Sequence, residues 1–389
     1  MSYIDFHCNI DILDNPLNLE VKDYLEIAVR KNKKRKFLFV SKNLGKHLPC
    51  KPYKVDELGD LLVRAFKEKY INYKDDKQVV LGFAETATCL AHSFFDRLET
   101  AEFLINTTRE LVNERDSINF EEEHSHAVEQ ILYIDKLNEI SDINTFVLID
   151  DEITTAKTCI NIISKLNEKY NVKKYVIASL LNWIDKERMR EIKDIAQSLQ
   201  CEIEFVYLFN GKFNFNIDND NVEDELLEKF IGRGNIEVVN LDLKLNSYMK
   251  YTGRFGITRA EHEALKSKVR EYGKELERIR SYHNILCIGV EEFMYIPMLF
   301  SKELKGNVHY HSITRSPIVS SKQLEYPIKS KYKLKSFNND NINYLYNLDV
   351  NYYEECYLFL EQCKDEERIN EFINMIDSLG LKKINIIRC

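Results

Sequence analysis

Short apolar runs alternate along this chain with longer stretches in which hydrophobic residues recur every three to four positions. That is the pattern of a largely parallel sheet covered by helices. Phe37–Val40, Val79–Phe83, Phe103–Ile105, Phe146–Ile149, Val176–Leu181 and Ile203–Phe209 are predicted strands. The clearest predicted helix runs from Thr155 to Tyr170, where Ile160, Ile163, Leu166 and Tyr170 share a face and Lys and Glu occupy the other. The Asn- and Asp-rich stretch 210–221 breaks the pattern and predicts a loop or hairpin at a domain edge. Beyond a boundary expected between Asn240 and Thr258, the charged helix Glu261–Arg280 opens a second alternation. It comprises strand Ile285–Val290, helix Phe293–Leu304, strands Val308–Ile313 and Cys356–Leu360, helix Glu366–Leu379 and strand Lys383–Ile387. The expectation is an α/β protein of two units, 1–240 and 241–389. No internal repeat is visible, although both halves place a Gly and a Glu close after a strand, at Gly82/Glu85 and Gly289/Glu291.

A length of 389 residues suits two cores rather than one, and 44% hydrophobic residues can fill them. The net charge of -8 argues against a protein that grips nucleic acid through a broad basic face. A small anion remains compatible, because helix N-termini and a few local cations can hold one. The basic run Lys31–Lys36 is expected to solvate the approach to the next strand, with attraction of phosphate as its second role. No signal peptide and no apolar run near membrane-spanning length is visible, and nine cysteines lack CxxC pairs. A cytoplasmic protein with reduced thiols, no membrane partner and no disulfide frame is expected.

The chemistry concentrates in Thr145–Thr158, TFVLIDDEITTAKT. A buried strand delivers Asp150 and Asp151 at its C-terminal end, and a threonine-rich turn opens a helix. In open α/β sheets that edge is where ligands bind. The helix start offers backbone N–H groups, the positive end of the dipole, and the hydroxyls of Thr154, Thr155 and Thr158. Together these make a phosphate cradle. The two carboxylates repel phosphate but accept hydrogen bonds from the vicinal hydroxyls of a ribose. Simple capping of the helix would need fewer of these groups. Lys157-Thr158 lacks the upstream glycines of a P-loop. An aspartyl phosphatase is disfavoured because Asp150-Asp151-Glu152 has no D-x-D spacing.

VLIDDEITTAKT resembles the 5-phosphoribosyl-1-pyrophosphate (PRPP) loop of type I phosphoribosyltransferases, with Ala156 where that loop carries glycine. A left-handed backbone at Ala156 would be strained, whereas an ordinary helical first turn would accept it. SKNLGKHLP (41–49), LGFAETATCLA (81–91), EEHSHA (122–127) and TRSP (314–317) extend the likeness across nearly the whole chain. They resemble bacterial phosphoribosyltransferases of tellurite-resistance and stress-response operons that carry a C-terminal TRSP domain. Cys89 stands where a small residue is expected. The resemblance implies a type I phosphoribosyltransferase-like parallel sheet flanked by helices, followed by a Rossmann-like α/β domain. It implies that Asp150 and Asp151 hold the ribose hydroxyls and that Thr154, Thr155, Ala156, Lys157 and Thr158 hold the 5′-phosphate.

The turn made by Gly82, Phe83, Ala84, Glu85, Thr86, Ala87 and Thr88 is expected to meet pyrophosphate through its amides and the Thr86 and Thr88 hydroxyls. Glu85 would bind magnesium, orient the loop, or simply begin a helix. The charged stretch after Asn106 reads as a mobile cover. In it Arg109 and Arg115 are candidates to neutralise pyrophosphate, and Glu123, His124 and His126 are candidates for acid–base work. Strand-end positions Glu291, Glu292, Thr314, Arg315 and Ser316 form a second expected ligand edge, with Arg254 as a possible contributor and Arg315 pairing with Glu291 or Glu292 as the bland reading. The H-x-H pairs His124/His126 and His309/His311 lack convincing further ligands, so no protein-held metal is expected. Mg2+ would ride on PRPP. The expected reaction transfers phosphoribose to a nucleobase-like acceptor with release of pyrophosphate; the rival is a PRPP-sensing or scaffold protein. A homodimer is compatible with either.

Overall fold

The computed structural model describes residues 4, 6–32, 35–70, 73–112, 114–121, 129–217, 230–243, 251–363 and 365–389. Its first sheet has a parallel core of Gln78–Gly82, Ala101–Asn106, Thr145–Ile153, Lys174–Asn182 and Glu202–Ile217. The buried runs of Val, Ile, Leu and Phe in these strands leave no polar face, as expected when helices cover both sides. Gln78–Gly82 lies between Ala101–Asn106 and Thr145–Ile153, so the chain goes first to one side and then to the other. That reversal makes a crevice at the strands' C-terminal ends, the general ligand position in such sheets. Antiparallel strands Phe6–Asp14 and Ile257–Thr258 complete the two edges.

The second sheet is parallel throughout, in the order Glu237–Asp242, Lys383–Arg388, Glu355–Leu360, Asn284–Val290, Asn307–Ile313. Its order also reverses, between Asn284–Val290 and Glu355–Leu360. Segments of the N-terminal half pair through their backbones with the C-terminal half, outside the two main sheets' own strand-to-strand ladders. Cys50 and Tyr310 exchange N–H···O bonds of 3.0 and 2.8 Å, and the Val319 amide donates to the Val29 carbonyl at 2.9 Å. Gly45 sits with φ 66° where an added Cβ would lie 2.5 Å from the Tyr310 ring, so only glycine lets residues 41–49 come this close.

The expected loop at 210–221 is corrected as far as 217; residues 218–221 lie outside the described residues. Residues 210–217 continue the Glu202–Ile217 strand and pair with Phe6–Asp14. Period-two alternation decides this: Phe213, Phe215 and Ile217 are partly buried while Lys212, Asn214 and Asn216 point to solvent. Phe213 packs 4.9 Å from Phe37 and 5.0 Å from Phe39, which outweighs the Asn-rich composition. The charged cover also contains more order than its composition predicts. Ser117–Glu121 pairs antiparallel with Glu129–Tyr133, and Phe120, Ile131, Leu132 and Tyr133 are buried. No helix among the described residues is long and apolar enough to cross a membrane.

Candidate active site

A cleft of about 340 Å³ opens at the reversal point of the first sheet. Asp150, Asp151 and Glu152 enter it from the Thr145–Ile153 strand, and Thr154, Ala156, Lys157 and Thr158 from the turn and helix start that follow. The Lys157–Tyr170 helix is fixed from below, because Cys159, Ile160, Ile162, Ile163 and Leu166 are buried. No side chain caps it: the N-cap is Ala156, at φ 56° and ψ 18°. This is the left-handed conformation, not an ordinary first turn, so the strain foreseen for alanine is present and costs about 1–2 kcal/mol. Thr155 does not line the cleft. Its carbonyl accepts from Arg188 Nε at 2.7 Å and its hydroxyl accepts from the Lys157 amide at 3.3 Å.

The paired aspartates are partly buried and remain at the cleft. The Asp151 amide donates to Asp150 Oδ1 at 2.9 Å. Burial, reinforced by Glu152, pushes the Asp151 carboxyl up to about 6 against the pull of Asp150 and Arg35. Arg35 spans both oxygens of Glu152 at 2.6 Å and, with Arg30, lines the same cleft. The basic run thus reaches the site through Arg35; Lys33 and Lys34 lie outside the described residues.

The 83–86 turn forms the facing wall. Its Phe83 and Ala84 amides are already used within the protein, which corrects the expected amide cradle at those two positions. They donate to the Ile149 carbonyl at 3.1 Å and to Thr107 Oγ1 at 2.8 Å, while Gln130 Nε2 holds the Ala84 carbonyl at 2.9 Å. Thr86 faces the cleft, but Thr88 is turned away and donates to the carbonyls of Glu85 and Glu292 at 3.1 and 3.3 Å. Gly82 and Ala87 lie behind the wall; a Cβ on Gly82 would meet Asn106 Oδ1 at 2.4 Å and the Ala91 methyl at 2.5 Å. Glu85 is neither a simple helix-start acid nor free to bind metal. It pairs with Lys46 and sits 3.7 Å from Arg109 Nη1. Lys46 is 1% exposed; burial lowers its ammonium and Glu85 holds it up. Arg109 lines the cleft, as expected.

The second sheet contributes the third wall, Thr314, Arg315 and Ser316. Glu291 and Glu292 stand behind it. Glu291 pairs with Arg315 at 2.6 Å; Glu292 accepts from Thr108 Oγ1 at 2.7 Å and from the Arg109 amide at 2.9 Å. Arg254 is 3% exposed and bonded to Glu361 at 2.9 and 3.1 Å, so it is part of the protein's own packing and not a ligand group.

Arg115 is the clearest correction. It lies 4.0 Å over the Phe255 ring and 3.5 Å from Asp135, outside the cleft, because Phe255 and the nearby carboxylate satisfy both its apolar and charged parts. Glu123, His124 and His126 lie outside the described residues. His311 is buried with its ring nitrogens 3.1 and 2.8 Å from the Gly45 and Tyr346 carbonyls, so the His309/His311 pair does not present a free metal face. Among the described residues Asp96, His262 and Glu263 have metal-compatible spacing, but Lys266 Nζ already sits 2.6 Å from Asp96.

Sequence reasoning found the aspartates, the helix start and TRSP, yet missed Lys46, Gln130 and the Arg35–Glu152 pair. Lys46 lay inside the SKNLGKHLP match, and the apolar Leu44 and Leu48 flanking it were the available hint of burial.

Residues 24–212 match the family described as "Phosphoribosyl transferase", and residues 251–376 match the "TRSP domain C terminus to PRTase_2". Among solved structures, adenine phosphoribosyltransferase of Trypanosoma brucei in complex with AMP, pyrophosphate and ribose-5-phosphate is 16% identical. That alignment covers 51% of this chain and 81% of that chain, at a TM-score of 0.36. The Rhodothermus marinus enzyme is 15% identical over 48% of this chain and 95% of its own, at 0.33. The Saccharomyces cerevisiae enzyme, complexed with an imino-altritol bisphosphate and adenine, is 12% identical over 48% and 96%, at 0.32. No curated protein matches the chain. With the two family matches in the order transferase then TRSP, over a doubly covered parallel sheet that holds its cleft at the strand reversal, the chain belongs to the phosphoribosyltransferase family that carries a C-terminal TRSP domain.

Proposed function

We propose that this phosphoribosyltransferase uses PRPP as donor and a nucleobase-like acceptor, with inversion at the anomeric carbon. One observation carries the reading: Asp150, Asp151 and the Ala156–Thr158 helix start share a cleft with the 83–86 turn and Arg109. The helix start takes the 5′-phosphate, where its dipole and amides favour an anion. The aspartates accept the ribose hydroxyls, and pyrophosphate lies toward the 83–86 turn and Arg109. The bond from the anomeric carbon to the pyrophosphate oxygen breaks, a bond to an acceptor nitrogen forms, and the nitrogen's proton leaves to solvent. Positive charge on the sugar is met by the two carboxylates and negative charge on the leaving group by Arg109, so positioning and fixed charges dominate. Glu85 is committed to Lys46 and Arg109, whereas Asp150 and Asp151 offer hard oxygens suited to Mg2+. Mg2+ held mainly by pyrophosphate oxygens would neutralise part of the leaving group's charge. We set the division between the two units ahead of Glu237, since Glu237–Asp242 pairs within the second sheet.

The test is single-turnover incubation of the full chain with PRPP, Mg2+ and a panel of nucleobases, followed by assay of pyrophosphate and mass spectrometry of the product. Acceptor-dependent pyrophosphate release supports the transferase. Tight PRPP binding without release under any acceptor would favour the sensing role instead.

A further inference from the structure

The TRSP wall of the cleft is built too firmly to be incidental lining. Lys46 Nζ donates to the carbonyls of Glu291 at 3.0 Å and Ile313 at 3.1 Å, touches Ser312 Oγ at 3.3 Å, and pairs with Glu85 in the 83–86 turn. One buried ammonium therefore bolts the turn to the strand end that launches Arg315 two residues later. The guanidinium is then aimed by Glu291, whose Oε2 lies 2.6 Å from Arg315 Nη2. Glu291 is itself held: it is 2% exposed, adopts φ 54°, and accepts from Asn343 Nδ2 at 2.7 Å and from Ser336. Burial alone would raise the Glu291 carboxyl, yet Arg315, Ser336 and Asn343 bring it below its ordinary value.

Only one edge of the Arg315 fork is used by this arrangement. Its Nε is buried and has no hydrogen-bond partner among the described residues, although the side chain lines the cleft. A guanidinium fixed on a carboxylate through Nη2, with 20% of its side chain still exposed at the cleft, is set up to receive an oxyanion with the rest of its fork. Its charged neighbours beyond Glu291 are Glu85 and Arg109, which belong to the pyrophosphate wall and not to the helix start that takes the 5′-phosphate.

We infer that Arg315 binds the pyrophosphate group of the donor, so that the transferase site is composite and the C-terminal domain supplies one of its cations. This rests on the placement of PRPP proposed above. Glu291 is a positioning residue, and Lys46 fixes the distance between the two walls. An Arg315→Lys change keeps the charge but loses the planar fork, so charge alone should rescue only part of the binding.

The experiment is calorimetric titration of the full chain with Mg-pyrophosphate and, separately, with ribose 5-phosphate. Wild type is compared with Arg315→Lys and with the double variant Glu291→Gln/Arg315→Gln, which removes both charges and leaves no lone buried carboxylate. Expected is a loss of roughly 10- to 100-fold in pyrophosphate affinity for the double variant and a smaller loss for Arg315→Lys. Ribose 5-phosphate should bind all three within about twofold, since the 5′-phosphate cradle is untouched. Unchanged pyrophosphate affinity, or equal loss of both ligands in a folded variant, overturns the inference while leaving the PRPP site standing. A wild type that binds neither ligand overturns the site itself.

Discussion

Where strand order reverses in the first sheet, between Gln78–Gly82 and Thr145–Ile153, the protein keeps a cleft of about 340 Å³. Where it reverses in the second, between Asn284–Val290 and Glu355–Leu360, the corresponding ground is occupied by Arg254. That guanidinium is ringed by Glu361 at 2.9 Å, Glu292 at 3.6 Å and Glu110 at 3.8 Å. Burial pushes the Glu361 carboxyl up to about 7 despite Arg254, helped by Glu110 and Glu292. The same topology therefore leaves an open cleft in one sheet and an ion cluster of the protein's own side chains in the other. What decides is the side chains at the strand ends. At the first, Thr154 and a helix start with no side-chain cap face the cleft, whereas at the second Glu292 and Glu361 demand a cation that the protein itself provides. Thr314–Ser316, at the margin of the second sheet, line the first sheet's cleft.

The contrast breaks most visibly at Arg254. Arg254→Met takes the bidentate partner from buried Glu361 and a nearby cation from Glu292 and Glu110, and should cost about 3–5 kcal/mol in urea unfolding, with a large part recovered by adding Glu361→Gln. If the single change costs under about 1 kcal/mol, the second reversal point is not held by this cluster.

At the open point the opposite response is expected. Asp150→Asn with Asp151→Asn should weaken ribose 5-phosphate binding by roughly 10- to 100-fold. The melting temperature should hold or rise, because an acid whose ionised form is disfavoured by burial has been removed. Undiminished binding would mean that the cleft does not take a ribose.

The pH dependence sharpens this. Asp151 sits at about 6 in the folded chain, above the roughly 3.9 of an unfolded one. The folded form thus keeps the proton between those values, so this group favours folding at low pH and that contribution is lost as pH rises through 6. Ligand hydroxyls need the ionised carboxylate, so affinity should move the other way and rise through pH 6. Because the 5′-phosphate also titrates near 6, the decisive quantity is the wild-type affinity divided by that of Asp151→Asn. That ratio should fall by up to about tenfold per unit below 6, and a flat ratio would remove Asp151 from the binding account.

The smallest effect concerns the cradle's backbone. Ala156→Gly relieves the left-handed strain but loosens the unfolded chain, for a net gain of up to about 1 kcal/mol in thermal unfolding. A loss of stability would show that Ala156 does not occupy this conformation.

Much of the first sheet was legible because local signals coincided there. Buried strand, acid pair and amphipathic helix follow one another within Thr145–Tyr170, so periodicity together with the acid pair and threonine turn located the edge of the cleft. Residues 210–217 misled because Asn composition and period-two alternation disagreed, and tertiary packing against Phe37 and Phe39 decided. Arg115 and Thr88 had the right chemistry, but which neighbour claims a side chain is set by residues far away in sequence. Lys46, Glu85 and Ile313 show the same limit: their contact joins segments that no periodic pattern relates.

The backbone pairing of Cys50 with Tyr310 and of Val29 with Val319 has a practical corollary for dissecting this chain. Cutting it between the two sheets would yield fragments with raw strand edges and a stranded lysine, not two free-standing modules. Activity reconstituted from separately produced halves would require them to re-anneal along that seam.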